Sequence, residues 1–262
     1  FMKIAKSEIL SIKKEILEYL QNCGSCQNQE LADVFHLSLS TIRRYAQQLE
    51  EEGLITRYHG GMVLTRTDQS SISDPLYLTR NHDEKAAIMK YVAENLIKPE
   101  DSIFINGSST AFFLYQYLNK PATVLTNNAQ ILLGELNDCI SPILIGGQPS
   151  AHNGNNIMCG EFAVQMIQTI YATTCILGVS GINAKIGLTS ASPQDISINR
   201  AMLSQTRTNK IIVADHSKIG KIFNFSFSSL KGITHLVTDV SADPEELAHI
   251  QNCGVQVITV EP

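Results

Sequence analysis

Tryptophan is absent from this 262-residue chain, aromatic residues supply 6% of it, and charged residues 17%. No apolar run approaches the roughly 20 residues that a membrane-spanning helix needs, so a transmembrane reading is excluded. The scarcity of aromatics leaves few platforms on which a neutral sugar could stack. An excess of positive charge is also missing: 20 basic side chains stand against 25 acidic ones, for a net charge of −5. That balance excludes a protein that coats nucleic acid by bulk charge, so any nucleic-acid contact has to be local. Internal repeats, low-complexity tracts and heptad runs are absent as well. The opening Phe1-Met2-Lys3-Ile4-Ala5-Lys6 lacks the apolar core and small-residue cleavage site of a secretory leader, and Phe1 ahead of Met2 reads as a cloning remnant. The expected location is the cytoplasm.

Six cysteines (Cys23, Cys26, Cys139, Cys159, Cys175, Cys253) are scattered through a chain long enough to bury a core without disulfide staples. Only Cys23-Gly24-Ser25-Cys26 has suggestive spacing. A zinc site needs two further ligands at comparable spacing, and a thioredoxin-like site needs a strand before and a helix after. Neither is visible, so the segment is expected to be a turn between helices, and no metal is expected.

What is present divides into two textures, as a length above the usual single-domain size allows. Ile9, Ile12, Ile16 and Leu20 recur at helical spacing, and the cluster from Asn22 to Ser25 stops that helix. Leu31, Ala32 and Phe35 indicate a second short helix, with Asn28 as its expected cap. A third helix is expected from about Ser38 to Glu52, capped by Ser38 or Ser40 and ended by Gly53. Its apolar stripe is Ile42, Ala46 and Leu49. At about 100° per residue, Ser40, Arg44 and Gln47 point away from that stripe, with Arg43 on one shoulder and Thr41 on the other. Leu54 to Leu64 then reads as two β-favouring runs around Gly60-Gly61, a hairpin. Three helices and a hairpin make a winged helix-turn-helix over residues 1–64. Residues 65–75, rich in Ser, Thr and Asp, are expected to be a linker.

The exposed face of the third helix suits a DNA major groove, where Arg reads guanine bidentately and hydroxyl or amide groups reach bases and phosphates. The bland alternative is a solvated helix face, and the near-neutral balance of residues 1–64 gives that alternative weight. Arrangement matters more than the sum, because Arg43, Arg44 and Arg57 lie on the helix and hairpin while Glu50, Glu51 and Glu52 gather at the helix end. The run from Glu30 through Ser38-Leu39-Ser40-Thr41-Ile42-Arg43-Arg44 to Arg57-Tyr58-His59-Gly60-Gly61 resembles the DNA-binding domain of DeoR-type bacterial transcriptional regulators. The resemblance implies that Ser40, Thr41, Arg43 and Arg44 lie on the recognition helix and Arg57 and His59 on the wing; Ser38, Gln47 and Gly60, beside them in the same segments, are expected to join the DNA contact. Tyr45 stands where that family usually has Asp, so the operator sequence cannot be borrowed from relatives.

From Leu76 to the end, helical stretches alternate with short apolar runs: 102–105, 123–125, 142–145, 174–179, 211–214, 235–238 and 255–260. Continuous runs of this kind suit strands buried on both faces of a mainly parallel sheet, so residues 76–262 are expected to form the larger α/β domain. Asn106-Gly107-Ser108-Ser109-Thr110 reads as a strand, a tight turn and a helix N-terminus, able to cradle an anion or simply to cap a helix. Thr126-Asn127, Gly146-Gly147, Gly178 to Ile182, Gly187-Leu188-Thr189 and Asp215-His216-Ser217-Lys218 follow other predicted strands. In an open parallel sheet such carboxyl ends share one edge and form the default ligand crevice. Lys218 suits a phosphate and Asp215 sugar hydroxyls. Neither GxGxxG nor a P-loop is present, so no nucleotide cofactor is expected.

This half is also similar to the DeoR-type sensor domain, whose fold is related to ribose-5-phosphate isomerase. The resemblance implies that Gly107, Ser108, Ser109, Thr110 and Lys218 hold the phosphate or hydroxyls of a sugar phosphate, with Thr126, Asn127, Gly146, Gly147, Gly181 and Asp215 lining the site; Asn106 and Ser217, in the same loops, are expected to join them. It implies a homo-oligomeric repressor of a carbohydrate-use operon, bound to double-stranded DNA and modulated by that effector. Gly178-Val179-Ser180-Gly181 stands where the isomerase has Gly-Ala-Asp-Glu, and Ser197 and Asn199 stand where regulators often carry Glu and Lys. An isomerase-like enzyme with an accessory DNA-binding module is the alternative, disfavoured because proton abstraction needs a placed base.

Overall fold

The computed structural model describes residues 12, 13, 15–17, 19, 20, 25–51, 54–58, 61–64, 81–133, 137–152 and 155–262. Compact packing divides the chain into Phe1–Arg80 and Asn81–Pro262. The expected linker, 65–75, lies outside the described residues, as do Gly53, His59 and Gly60.

In the first unit, residues 12, 13, 15–17, 19 and 20 are helical. Strand β1 (Ser25–Gln27) leads directly into helix α1 (Asn28–Val34), followed by α2 (Leu39–Glu51) and strands β2 (Ile55–Tyr58) and β3 (Gly61–Leu64). The segment expected to be a plain turn therefore contributes a strand, which pairs antiparallel with β3 and makes the wing three-stranded in the order β1-β3-β2. Three residues are too few for a period-2 pattern to show in sequence. Cys26, in the middle of β1, is buried, while Cys23 lies outside the described residues. A second correction concerns the cap of α1: Gln27 holds the cap position and Asn28 is already helical, its Oδ1 buried without a partner. Ser38 caps α2 as expected, its Oγ accepting the Thr41 N–H at 3.2 Å. The core gathers Ile16, Leu20, Leu31, Ile42, Ala46, Leu49, Ile55 and Met62, with Tyr45 fully buried among them.

The second unit is built on a seven-stranded sheet. Its strands are β4 (Asp101–Ile105), β5 (Ala122–Thr126), β6 (Ile140–Leu144), β9 (Ala172–Gly178), β12 (Thr206–Val213), β14 (His235–Asp239) and β15 (Gln256–Val260). These are the seven runs read from the sequence, and every adjacent pair is parallel. The order β15-β14-β12-β9-β4-β5-β6 reverses between β9 and β4, which is the topological switch point of a doubly wound sheet. Pro142 sits in edge strand β6, where a missing N–H is tolerated.

Helix α3 (His82–Asn95) packs with α4 (Ser109–Phe112) and α5 (Leu114–Tyr117), and α6 (Glu161–Gln168) packs with α7 (Gln194–Ser204). Phe104, Leu125, Cys175, Leu177, Ile212 and Leu236 join the core of α6, α7 and α8 (Pro244–Asn252). Their alternates, Ile103, Ile105, Val124, Ile176, Ile211 and Val237, are buried too and point to the opposite face. Burial raises the Cys175 thiol to about 11, against the smaller opposing effects of Thr206 and Lys210, so it is an inert core group.

Two antiparallel elements were not anticipated. One is the hairpin of β7 (Gln148–His152) and β8 (Asn155–Cys159); the other is a small sheet of β10 (Gly181–Asn183), β11 (Gly187–Ser190) and β13 (Phe225–Ser228), in the order β10-β11-β13. Gly181 and Gly187 thus belong to strands rather than loops. Their Ser, Thr, Asn and Gly content hides them from propensity, because tertiary neighbours rather than side-chain preference hold them extended.

Candidate functional site

On the first unit, Ser38 Oγ lies 2.8 Å from both Ser40 Oγ and Thr41 Oγ1, so the N-terminus of α2 carries a small hydroxyl cluster. Ser40, Arg43, Arg44 and Gln47 are exposed on the face opposite the buried stripe, as the helical wheel predicts. Arg44 lies over the Tyr45 ring, 5.3 Å from its centroid. The ring thus serves as a shelf for one arginine while its body fills the core, and its hydroxyl is buried without a hydrogen-bond partner. Arg57 is exposed on β2, but Glu50 engages it twice: Oε1 accepts the Arg57 N–H at 3.0 Å and Oε2 accepts Nε at 2.6 Å. Both bonds hold the Glu50 carboxyl below its ordinary value. Glu50 therefore fastens the wing to α2 and partly neutralises Arg57, a pairing across seven positions that sequence spacing did not reveal.

On the second unit, the carboxyl ends of β12, β9, β4, β5 and β6 lie side by side along one edge. They carry, in that order, Asp215 to Lys218, Gly178, Asn106 to Thr110, Thr126-Asn127 and Gly146-Gly147. At the switch point Asn106 bridges the two central strands: Nδ2 donates to the Gly178 carbonyl at 2.9 Å and Oδ1 accepts the Gly178 N–H at 3.1 Å. The same Nδ2 also donates to Asn199 Oδ1 at 3.0 Å. Asn199, flagged in sequence only as a departure from the family pattern, thus joins the network as a neutral amide on α7.

Ser108 is the N-cap of α4, its Oγ accepting the Ala111 N–H at 3.0 Å, so its hydroxyl serves the helix. Ser109 is half-buried and Thr110 buried. The turn after β4 approaches the end of β9 so closely that a Cβ on Gly178 would fall 2.0 Å from Ser108 Oγ, and it approaches β8 so closely that one on Gly107 would fall 2.3 Å from Ile157 Cγ2. Thr126 Oγ1 accepts the Asn128 N–H, and Asn127 Nδ2 donates to the Met158 carbonyl at 3.0 Å, tying this end of β5 to the β7–β8 hairpin. Asn127 Oδ1 remains buried without a partner. Gly147 is packed against the Cys159 carbonyl and Ala163, Gly181 against the Lys221 carbonyl, whereas Gly146 is exposed with open space around it.

The loop after β12 closes into a one-turn 3-10 helix, His216–Lys218, capped by Asp215. Asp215 Oδ1 accepts from the Ser217 N–H at 3.0 Å, from the Ser217 hydroxyl, and from Asn81 Nδ2 at 2.8 Å. Burial alone would raise the Asp215 carboxyl. Hydrogen bonds from Ser217 and Asn81, with the charge of Lys218, outweigh that effect and hold it below its ordinary value. Asp215 thus organises the turn. Lys218 is half-buried, and its ammonium makes no hydrogen bond or salt bridge among the described residues. Next to it, His216 Nδ1 lies 3.0 Å from Oδ1 of the fully buried Asp239, whose Oδ2 accepts the His216 N–H at 2.6 Å. A carboxylate only accepts, which places a ring proton on Nδ1. Asp239 and Asn81 were not legible in the sequence, because each reaches the loop from a distant position. No cluster of three or more metal-ligating side chains occurs among the described residues.

A sequence model of the DeoR C terminal sensor domain matches residues 80–240, and a winged helix-turn-helix DNA-binding model matches residues 9–56. The chain is 30% identical over 254 residues to the HTH-type transcriptional regulator GolR of Listeria innocua, covering 95% of this chain and 98% of that protein. It is 29% identical over 229 residues to the glycerol-3-phosphate regulon repressor of Escherichia coli, covering 86% and 88% respectively. With the HTH-type transcriptional repressor GlcR of Bacillus subtilis it shares 27% identity over 249 residues, 94% of each chain.

Proposed function

The chain belongs to the DeoR family of helix-turn-helix transcriptional regulators, and from that premise we propose that it is a cytoplasmic repressor of a carbohydrate-use operon whose operator affinity is set by a phosphorylated sugar in the second unit. The observation that carries the effector half of this reading is Lys218: an ammonium without a bonded partner beside the switch-point edge, on a turn already organised by Asp215. An anion placed there gains a point charge without breaking an existing ion pair. The crevice at the carboxyl edge of a doubly wound sheet is where such a ligand is expected. The exposed Arg43 and Arg44, behind the hydroxyl cluster of Ser38, Ser40 and Thr41, supply the DNA-reading face. Paired half-sites are the rule for such helices, so the working form is a homo-oligomer.

The test is a thermal-shift screen of the full chain against phosphorylated sugars and sugar alcohols, since a ligand that binds only the native state raises the midpoint by mass action. A hit that disappears in Lys218→Ala while operator binding persists is the expected result. An unchanged hit in that variant would move the site elsewhere.

A second reading, an isomerase-like enzyme, draws on the His216–Asp239 pair, an imidazole held by a carboxylate as a general base would be. Against it, the switch point presents the amides Asn106 and Asn199 rather than a carboxylate. Turnover of ribose 5-phosphate that is lost in His216→Asn would favour the enzyme.

A further inference from the structure

The second unit begins at Asn81, and its first two side chains contact Asp215 and Phe113. Asn81 adopts the left-handed conformation, φ 53° and ψ 44°, which Asn tolerates better than most side chains. It stands at the N-cap of α3, yet its side chain makes no capping bond there. Its Nδ2 instead donates to Asp215 Oδ1 at 2.8 Å, across 134 positions of sequence. The next residue, His82, sets its ring edge-on to Phe113, with centroids 5.2 Å apart. Phe113 follows directly on α4, the helix that Ser108 caps.

Consecutive residues thus touch the loop after β12 and the helix after β4. The first carries Lys218 and the second begins with Ser109 and Thr110, both assigned above to the phosphate, and strand β9 separates them in the sheet. We propose that Asn81 and His82 are the coupling residues of the sensor, registering the positions of the Asp215–Lys218 turn and of α4, so that effector occupancy alters operator affinity through them. The proposal rests on the sugar-phosphate reading above. Its physical basis is competition for charge. Lys218 lies on the same turn as Asp215 and acts on its carboxylate, so an anion that claims Lys218 changes how strongly Asp215 draws on the Asn81 amide. A ligand shifts an equilibrium only through interactions that differ between its two states, and the Asn81–Asp215 bond supplies such a difference at the position where the chain leaves the sensor.

The experiment uses the full chain with an operator duplex selected from a random pool by the wild type, and a panel of inorganic phosphate, glycerol 3-phosphate, ribose 5-phosphate and fructose 6-phosphate. Asn81→Gly keeps the left-handed backbone, which glycine adopts freely, and deletes only the amide. The readout is the ratio of operator Kd with and without the bound panel member. In the wild type a ratio of about fivefold or more is expected, the lower end of usual allosteric couplings. In Asn81→Gly the ratio should fall towards one, while calorimetric affinity for the same compound stays within about threefold, since intrinsic binding and coupling are separate quantities. His82→Ala provides a second route if the first variant does not fold, with the same expectation. An unchanged ratio in the folded variants overturns the proposal, as does loss of compound binding in both, which would make them site residues instead. A wild type that binds no member of the panel overturns the sugar-phosphate reading, and the proposal with it; that failure is visible before any variant is made.

Discussion

Gly178→Ala tests the switch point where two strands and two loops meet. The new Cβ would fall 2.0 Å from Ser108 Oγ and 2.3 Å from Ser108 Cβ, against 3.4–4 Å for ordinary contact. Rotating the hydroxyl relieves the first clash but not the second, because Cβ is fixed to the backbone. The Ser108 turn therefore has to retreat by about 1 Å, with an overpacking cost of about 1–3 kcal/mol. That retreat also strains the Ser108 cap on the Ala111 N–H, worth about 1 kcal/mol. The combined loss, roughly 2–4 kcal/mol, corresponds to about 4–16 °C in the midpoint of a domain of this size, at about 2–4 °C per kcal/mol. Circular dichroism melting of the full chain measures it, and the ligand-induced rise in midpoint should vanish in the same variant. Ser108→Gly supplies the control, since glycine is a tolerable N-cap that costs only a few tenths of a kcal/mol. In the double variant the clash is gone, so a coupling of about 1–3 kcal/mol should return. A Gly178→Ala shift below about 0.5 kcal/mol, the range of a surface change, or a double variant no better than the single one, would refute the close approach.

Tyr45→Phe removes a buried hydroxyl without a hydrogen-bond partner and should stabilise the winged helix by about 1 kcal/mol, within the roughly 1–3 kcal/mol that an unmet polar group costs. Operator affinity should be unchanged, because the ring under Arg44 is kept; destabilisation of 1 kcal/mol or more in denaturant titration would mean that the hydroxyl is satisfied. Arg44→Ala should weaken operator binding by about 1–3 kcal/mol and relax discrimination at one base position, with the melting curve little altered. Equal weakening on random duplex, measured at fixed salt, would reduce Arg44 to a phosphate contact. For Asp215, whose folded carboxyl lies below its ordinary value, the sign is that of a depressed acid. Its stabilisation is fully present above about pH 4, near the unfolded value, and is lost as pH falls through the lower folded value. The midpoint gap between wild type and Asp215→Asn should therefore be constant from neutral pH down to about that point and close in stronger acid; a gap that widens on acidification contradicts the assignment.

The apolar runs at 102–105 and 211–214 located β4 and β12 because strands buried on both faces must be continuously apolar, a property written in consecutive residues. The exposure of Ser40, Arg43, Arg44 and Gln47 was legible for a similar reason, since a helix wheel depends only on local spacing. Strand β1 and the β7–β8 and β10–β11 pairs escaped notice because short polar strands owe their shape to partners far along the chain.

The acidic balance excluded nucleic-acid coating by bulk charge and the missing tryptophan left little for sugar stacking, and both conclusions needed only the composition. The sequence by itself determined the two-part organisation, the seven parallel strands and the loops that share their carboxyl edge. Only the tertiary structure decided which groups at that edge are already engaged. It committed Ser108 and Asp215 to capping, drew Asn199, Asp239 and Asn81 into contact from positions no local pattern connects, and paired Glu50 with Arg57. The physical reason is that strand and helix periodicities extend over a few residues, whereas a hydrogen bond depends on where the fold returns the chain.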